Sequence, residues 1–234
     1  MSYQKFTYTA RFVQEKFAQA NDLDDVVFIK DFKPANNEYF GSNVDVLCLS
    51  KSTATKLKKF LESFEFRKEL ISFEYDKAMY YPPKHDENLT KVHIYPHMSW
   101  YSVKFNFWKG ELSDYLSDYR GFKVIEPRLE VPLLVFHAYF EDRLLRDYDV
   151  TQIQAHVKEN NFQVDDFESV LEPKYFELFK KLLPEILETN SSDEVEYTDF
   201  SNQIKFVFST DNKIRHKLYY LKIHVAKKLR IIRG

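Results

Sequence analysis

The spacing of apolar residues predicts alternating helices and strands in the first half of the chain. Apolar residues recur at helical spacing from about residue 8 to 20, and again from a capping serine at position 50 or 52 up to residue 63. Short apolar runs bounded by turn residues predict a hairpin and four strands, at Phe66–Tyr81, Val26–Ile29, Asn43–Leu49, Val92–Tyr95 and Tyr101–Phe105.

After Gly121 the apolar positions follow a helical period. Helices are predicted at Val131–Leu145, Val150–Glu159, Tyr175–Leu187 and Lys213–Ile232, with a short one opening at Asp165 or Asp166. The expected fold class is α+β, a mixed β-sheet core flanked by helices and followed by a helical C-terminal region. We expect residues 1–122 to form the core and residues 123–234 the helical region.

Composition excludes several classes of function. The chain has 234 residues, 44% of them hydrophobic, but only four glycines, and it contains neither a P-loop nor a dinucleotide-binding fingerprint. Cys48 is the only cysteine, which excludes an internal disulfide and disfavours a cysteine zinc site. We find no apolar stretch of about 18 residues and no signal-peptide core, so we expect a cytoplasmic protein without a membrane span.

The strand beginning at Asn43 carries the most suggestive chemistry. Side chains alternate along a strand, so Asn43 and Asp45 point to the same face. An Asp-x-Asp pair in this arrangement is typical of sites that bind two divalent metals for phosphoryl or nucleotidyl transfer. Here the first carboxylate is replaced by an amide.

Four short segments carry a resemblance to a known family. They are Val27–Asp31, Asn43–Cys48, Glu65-Phe66 and Lys91–Tyr95. Together with the order of the elements, they resemble the nucleotidyltransferase superfamily with a DNA-polymerase-β-like core, and in particular its stand-alone prokaryotic branch. The resemblance covers roughly residues 10 to 160.

The resemblance implies transfer of a nucleoside monophosphate from a nucleoside triphosphate to a hydroxyl. The three metal-binding carboxylates of the family would fall on Asn43, Asp45 and His93, which would hold Mg²⁺ or Mn²⁺. Lys30 and Ser42 would contact the nucleotide. Only Asp45 is an acid, so the attraction for two metal ions is much reduced. This favours a catalytically inactive relative that binds a nucleotide without turnover and needs no metal cofactor.

Other acids could compensate for the missing carboxylates. The candidates are Asp31, Glu74 and Asp76. A histidine ligand at position 93 would suit Mn²⁺ or Zn²⁺ better than Mg²⁺. Without the resemblance, Asp45 would be interpreted as a strand-end acid and His93 as a core or surface histidine. His137 and Glu141 lie four residues apart, as in half of a metal site, but a simple side-chain contact is the expected role.

The C-terminal segment suggests a second kind of function. Residues 203–234 contain nine lysines or arginines and one acid, a net charge of +8 that leaves −10 on the rest of the chain. Its cationic face is either solvated or contacts nucleic acid or an acidic protein. Its apolar stripe is expected to dock on the helical region and consists of Ile214, Leu218, Leu221, Val225, Leu229 and Ile232. The alternative function is therefore a non-catalytic interaction module.

Overall fold

The computed structural model describes residues 3–19, 23–30, 43–69, 77–101, 103–142, 144–190, 195–197 and 200–228. The chain folds as two compact units. Unit 1 contains Met1–His97 and Glu111–Glu130, and unit 2 contains Met98–Gly110 and Val131–Gly234. The expected division after residue 122 therefore falls inside unit 1.

Most of the described strands lie in the first half of the chain and most of the described helices in the second. The strands are β1 (Val26–Ile29), β2 (Asn43–Cys48), β3 (Arg67–Lys68), β4 (Ala78–Tyr81), β5 (Lys91–Tyr95), β6 (Ser99–Trp100), β7 (Val103–Lys104), β8 (Leu116–Tyr119), β9 (Phe122–Ile125), β10 (Leu144–Leu145) and β11 (Val195–Glu196). The helices are α1 (Tyr3–Ala18), α2 (Lys51–Ser63), α3 (Pro127–His137), α4 (Asp147–Glu159), α5 (Pro173–Glu188), α6 (Phe200–Ser209) and α7 (Ile214–Lys228).

Unit 1 is built on a mixed sheet of seven described strands. Their spatial order is β3-β4-β5-β2-β1-β9-β8. β2 runs parallel to β5 and β1 runs parallel to β9, while the other neighbours are antiparallel. The mixed sheet with flanking helices confirms the predicted fold class.

One face of this sheet packs on α1 and α2. Val44, Val46 and Cys48 alternate along β2 and enter a core that also contains Phe17 of α1 and Leu57 of α2. Burial raises the pKa of the Cys48 thiol to about 12, so the residue is an inert part of the core. The alternation leaves Asn43 and Asp45 on the opposite face of β2.

The hairpin formed by β8 and β9 is absent from the sequence prediction. Its two-residue turn consists of Arg120 and Gly121, both with positive φ angles of 54° and 84°. Such a turn joins two antiparallel strands with the right twist. The turn could not be recognised from the sequence, because the first residue of such a turn is usually Asn, Asp or Gly and here it is Arg120. The prediction also missed α6.

Unit 2 is mainly helical and has an aromatic core. Phe136 of α3 lies against Phe107, Tyr175 and Phe179, with ring centroids 5.2 to 6.0 Å apart. Five members of the apolar stripe predicted for α5 are buried, namely Phe176, Phe179, Leu182, Leu183 and Ile186, whereas the sixth, Leu187, is 38% exposed. The helix predicted from Val131 to Leu145 is instead an α-helix over Pro127–His137. A short π-helix over Ala138–Asp142 follows it. None of the described helices is long and apolar enough to cross a membrane.

The prediction that the last helix docks through its apolar stripe was wrong. Ile214, Leu218 and Val225, which belong to the predicted stripe, are 62%, 52% and 39% exposed. The helix is instead anchored by Tyr220 and by Ile223 and His224, which are buried. Leu229 and Ile232, the last members of the predicted stripe, lie outside the described residues.

Ser50 rather than Ser52 caps α2, and its removal is expected to destabilise the protein. The Ser50 hydroxyl accepts a hydrogen bond from the Thr53 amide at 3.1 Å. We predict that Ser50→Ala lowers the free energy of unfolding by about 1 kcal/mol, because an amide of the first turn loses its acceptor. Urea denaturation followed by circular dichroism measures this change. Ser52→Ala is the matched control, and an equal loss in both variants would contradict the assignment.

Candidate functional site

A group of polar side chains lies on the sheet face opposite the unit 1 core. We call it the Asp45 cluster and define it as Lys30, Asn43, Asp45, His93 and Tyr95. The register places Asp45 of β2 directly opposite His93 of β5, and strand alternation puts Asn43 and Tyr95 on the same face. Lys30 follows β1 with a φ angle of 53°, in the left-handed region. The cluster therefore draws on three adjacent strands.

The Asp45 carboxylate is surrounded by hydrogen-bond donors. Its Oδ1 atom accepts from the Asn43 amide nitrogen at 2.8 Å and lies 3.3 Å from His93 Nδ1. Its Oδ2 atom lies 3.9 Å from the Lys30 ammonium. Asp45 is only 9% exposed, and a buried carboxylate needs such partners to remain ionised. Both oxygens thus face nitrogen atoms.

Tyr95 links the cationic side chains of the site and was missed by the sequence prediction. Its hydroxyl accepts a hydrogen bond from Lys30 Nζ at 2.7 Å and lies 3.0 Å from His93 Nδ1. The ammonium groups of Lys30 and Lys77 lie 4.9 and 4.7 Å from the centroid of its ring. Its position two residues after His93 was the available signal. The prediction assigned no role to Lys77 either.

Two oxygen atoms approach His93 Nδ1, the Asp45 carboxylate at 3.3 Å and the Tyr95 hydroxyl at 3.0 Å. Because a carboxylate can only accept whereas a hydroxyl can accept or donate, we assign the proton of the neutral ring to Nδ1 and the lone pair to Nε2. Burial is the main factor that lowers the pKa of His93 below 6.5, and the charges of Lys77 and Lys30 lower it further. Asp45 opposes them by stabilising the protonated ring. His93 is therefore neutral at pH 7.

The described side chains do not fit the metal pair that the resemblance implies. Asn43 turns its amide nitrogen toward Asp45, and His93 turns an N–H toward the same oxygen, so neither shares a metal ion with that carboxylate in this arrangement. The described ranges contain no group of three or more His, Cys, Asp or Glu side chains able to hold a metal. Metal binding by these residues stays a prediction.

The structure brings together four of the five predicted site residues. Lys30, Asn43, Asp45 and His93 all lie within the Asp45 cluster. Ser42 lies outside the described residues. The same holds for the three acids proposed as replacements, Asp31, Glu74 and Asp76.

Unit 2 contains a second group of titratable side chains around the π-helix at Ala138–Asp142. His137 lies between two carboxylates, with Nε2 3.0 Å from Glu141 and Nδ1 3.7 Å from Asp142. Because the two acids approach opposite nitrogens of the ring, they cannot join His137 around one metal ion. Asp142 also lies 3.6 Å from Arg146. The His137–Glu141 spacing is thus a side-chain contact, as the sequence predicts.

Comparisons with known proteins give little further guidance. No protein-family profile matches the chain, and no curated protein matches it. JHP933 from Helicobacter pylori aligns over 98% of this chain and 92% of that chain, at 13% identity and a TM-score of 0.44. A "putative nucleotidyltransferase from H. pylori" aligns over 100% of both chains, at 13% identity and a TM-score of 0.45. Because these values are low, the site is interpreted from its own side chains.

The pKa of His93 is expected to respond in opposite directions to two substitutions. Asp45→Asn should lower it further, because the charge that stabilises the imidazolium is removed. Lys30→Gln should raise it, because a repelling charge is removed. An NMR titration of the ring protons, assigned with His93→Gln, measures both changes. Shifts in the same direction would contradict the described cluster.

The buried Asp149 of α4 is expected to make stability depend on pH. Burial raises its pKa from 3.8 to about 6, against opposing effects of His137 and of the Arg146 amide. A raised carboxyl pKa contributes stability below about pH 4 that is lost as the pH rises to about 6. Relative to Asp149→Asn, the wild type should lose about 2–3 kcal/mol over this range.

Urea denaturation of both proteins at pH 4 and pH 7 gives this difference. Asparagine keeps an oxygen that can accept the hydrogen bond from the Arg146 amide, which Asp149 accepts at 3.2 Å. Asp147→Asn changes an exposed acid in the same helical turn and is the matched control. A constant difference between wild type and Asp149→Asn across the pH range would contradict the assignment.

Proposed function

We propose that this chain is a nucleotidyltransferase-like protein that binds the phosphate groups of a nucleotide at the Asp45 cluster without metal-dependent turnover. One observation carries the proposal. The Asp45 carboxylate is surrounded by an amide, an imidazole N–H and an ammonium. In a two-metal transferase the neighbours of this carboxylate would instead be further oxygen ligands of the metal ions.

Lys30 is the residue expected to bind the phosphate. Its side chain is 9% exposed and lies 3.9 Å from Asp45, too far for a hydrogen bond, so its ion pair with that carboxylate is loose. An ammonium has three donors, and the hydrogen bond to the Tyr95 hydroxyl uses one of them. A lysine in this position binds phosphate as a point charge.

The surrounding groups assist Lys30 by fixing its position. Tyr95 holds the ammonium through its hydroxyl and its ring. The neutral His93 adds no charge, and its N–H points toward Asp45. Asp45 in turn attracts the Lys30 ammonium from 3.9 Å and so acts here as a positioning residue. This role requires a carboxylate at only one of the three positions that the resemblance assigns to metal ligands.

Binding without turnover is supported by the charge of the site. Two divalent ions and a triphosphate need several carboxylates, because each missing charge weakens the attraction for the metal in a buried site. Asp45 supplies one carboxylate, and Asn43 and His93 supply none. The nucleotide itself is suggested by the family resemblance of the four sequence segments, since phosphate groups alone do not identify a base.

Nucleotide binding can be measured by calorimetric titration with ATP, GTP, CTP and UTP, each in EDTA and with Mg²⁺ or Mn²⁺. We expect at least one of them to bind in EDTA. Lys30→Gln should weaken binding roughly tenfold or more, because it removes a charge-assisted contact. Asp45→Asn should preserve binding in EDTA, because the loss of a negative charge near the phosphate offsets the loss of a group that positions Lys30.

A metal-dependent transferase would behave in the opposite way. Asp45→Asn would abolish metal and nucleotide binding, and product would form with Mn²⁺ and a hydroxyl acceptor. Either result would overturn the proposal, as would failure of every nucleotide to bind. Lys123→Gln is the matched control, because Lys123 is another lysine of unit 1 that pairs with an aspartate, Asp24, at 3.7 Å.

A further inference from the structure

Helix α7 presents two different faces. Tyr220, Ile223 and His224 are at most 3% exposed and anchor the helix in unit 2. The Tyr220 hydroxyl donates a hydrogen bond to the Phe140 carbonyl at 2.8 Å, and the His224 ring lies 5.2 Å from that of Tyr101. The anchoring contacts therefore leave the other side of the helix available.

The other side carries a continuous apolar row. We call it the α7 stripe and define it as Ile214, Leu218, Leu221 and Val225. Successive members are four, three and four residues apart, the spacing of a and d positions in a heptad. Ile214 is 62% and Leu218 52% exposed. Exposed apolar residues in such a row usually mark a binding surface.

Basic residues border the α7 stripe on both sides. Arg215 and Lys222 are exposed on one side, and Lys217 is partly exposed on the other. In heptad terms, Arg215 and Lys222 occupy e positions and Lys217 a g position, where charges select the partner helix. Lys217 also donates a hydrogen bond to the Phe208 carbonyl of α6 at 2.9 Å, which fixes the position of its side chain.

We propose that the α7 stripe binds one amphipathic helix of a partner protein whose apolar seam is flanked by acidic residues. Charge complementarity selects this occupant. Pairing with a second copy through the same stripe would bring Arg215, Lys217 and Lys222 close to like charges, which disfavours a homodimer. The row is also narrow, as in a helix–helix seam, whereas helices that lie on membranes present a broad apolar face.

The proposal can be tested with a synthetic helical peptide of about three heptads that has leucine at a and d and glutamate at e and g. Fluorescence anisotropy should show saturable binding of the labelled acidic peptide to the full chain. The same peptide with lysine at e and g should bind at least about tenfold more weakly. The doubly substituted variant Leu218→Ser, Val225→Ser should lose at least about tenfold in affinity for the acidic peptide.

A charge reversal makes the test specific. Arg215→Glu combined with Lys222→Glu should reverse the preference, so that the lysine peptide binds more tightly than the acidic one. Leu187→Ser is the matched control, because Leu187 of α5 is also an exposed leucine, at 38%, and lies outside the stripe. Circular dichroism of each variant shows whether the fold is retained, which is expected because the changed side chains are exposed.

Several results would overturn the proposal. They are equal binding of the acidic and basic peptides, no binding of either, or binding that survives the double serine substitution. Stripe-dependent self-association in sedimentation experiments would identify a second copy as the occupant instead. Stripe-dependent binding to phosphatidylserine vesicles, with no binding of the acidic peptide, would identify a membrane.

Discussion

The alternation of side chains along β2 is the constraint on which unit 1 depends. Val44, Val46 and Cys48 must enter the core against α1 and α2, so Asn43 and Asp45 are fixed on the opposite face. A shift of the strand by one residue would place the carboxylate in the apolar core and the valines among the polar side chains of the opposite face. The position of Asp45 next to His93 is thus a consequence of hydrophobic packing as well as of chemistry.

Burial then determines the chemistry around Asp45. A carboxylate that is only 9% exposed needs compensating donors, and Asn43, His93 and Lys30 supply them from three segments of the sheet. The amide of Asn43 and the imidazole of His93 therefore face the single acid of the cluster with nitrogen atoms. Together with the Lys30 ammonium they surround that carboxylate with donors.

Aromatic side chains take part both in polar contacts and in packing. In unit 1, Tyr95 is part of a polar network and contacts Lys30 and His93. In unit 2, Phe136 and its neighbours form an apolar core. Phenylalanines such as Phe17 pack the core of unit 1 as well, whereas the hydroxyl of Tyr95 adds a hydrogen-bonding group to an apolar ring.

The sequence by itself determined which segments form helices or strands wherever the apolar spacing is regular. Strand β2, helix α2 and the buried stripe of α5 follow from apolar spacing and turn residues, and the shared face of Asn43 and Asp45 follows from strand geometry. The hairpin of β8 and β9 escaped because Arg120 occupies a left-handed turn position without a typical turn residue. Tyr95 and Lys77 escaped because their roles depend on neighbours distant in sequence.

Only the tertiary structure decided what each periodic face contacts. The α7 stripe has the spacing of a buried face, but Tyr220 and His224 anchor the helix and leave Leu218 exposed. A helical period shows which residues share a side and leaves open which side meets the core, because that choice depends on the shape and polarity of the surface beneath. The direction of the amide of Asn43 and the proton on His93 were decided in the same way, by the carboxylate that folding places beside them.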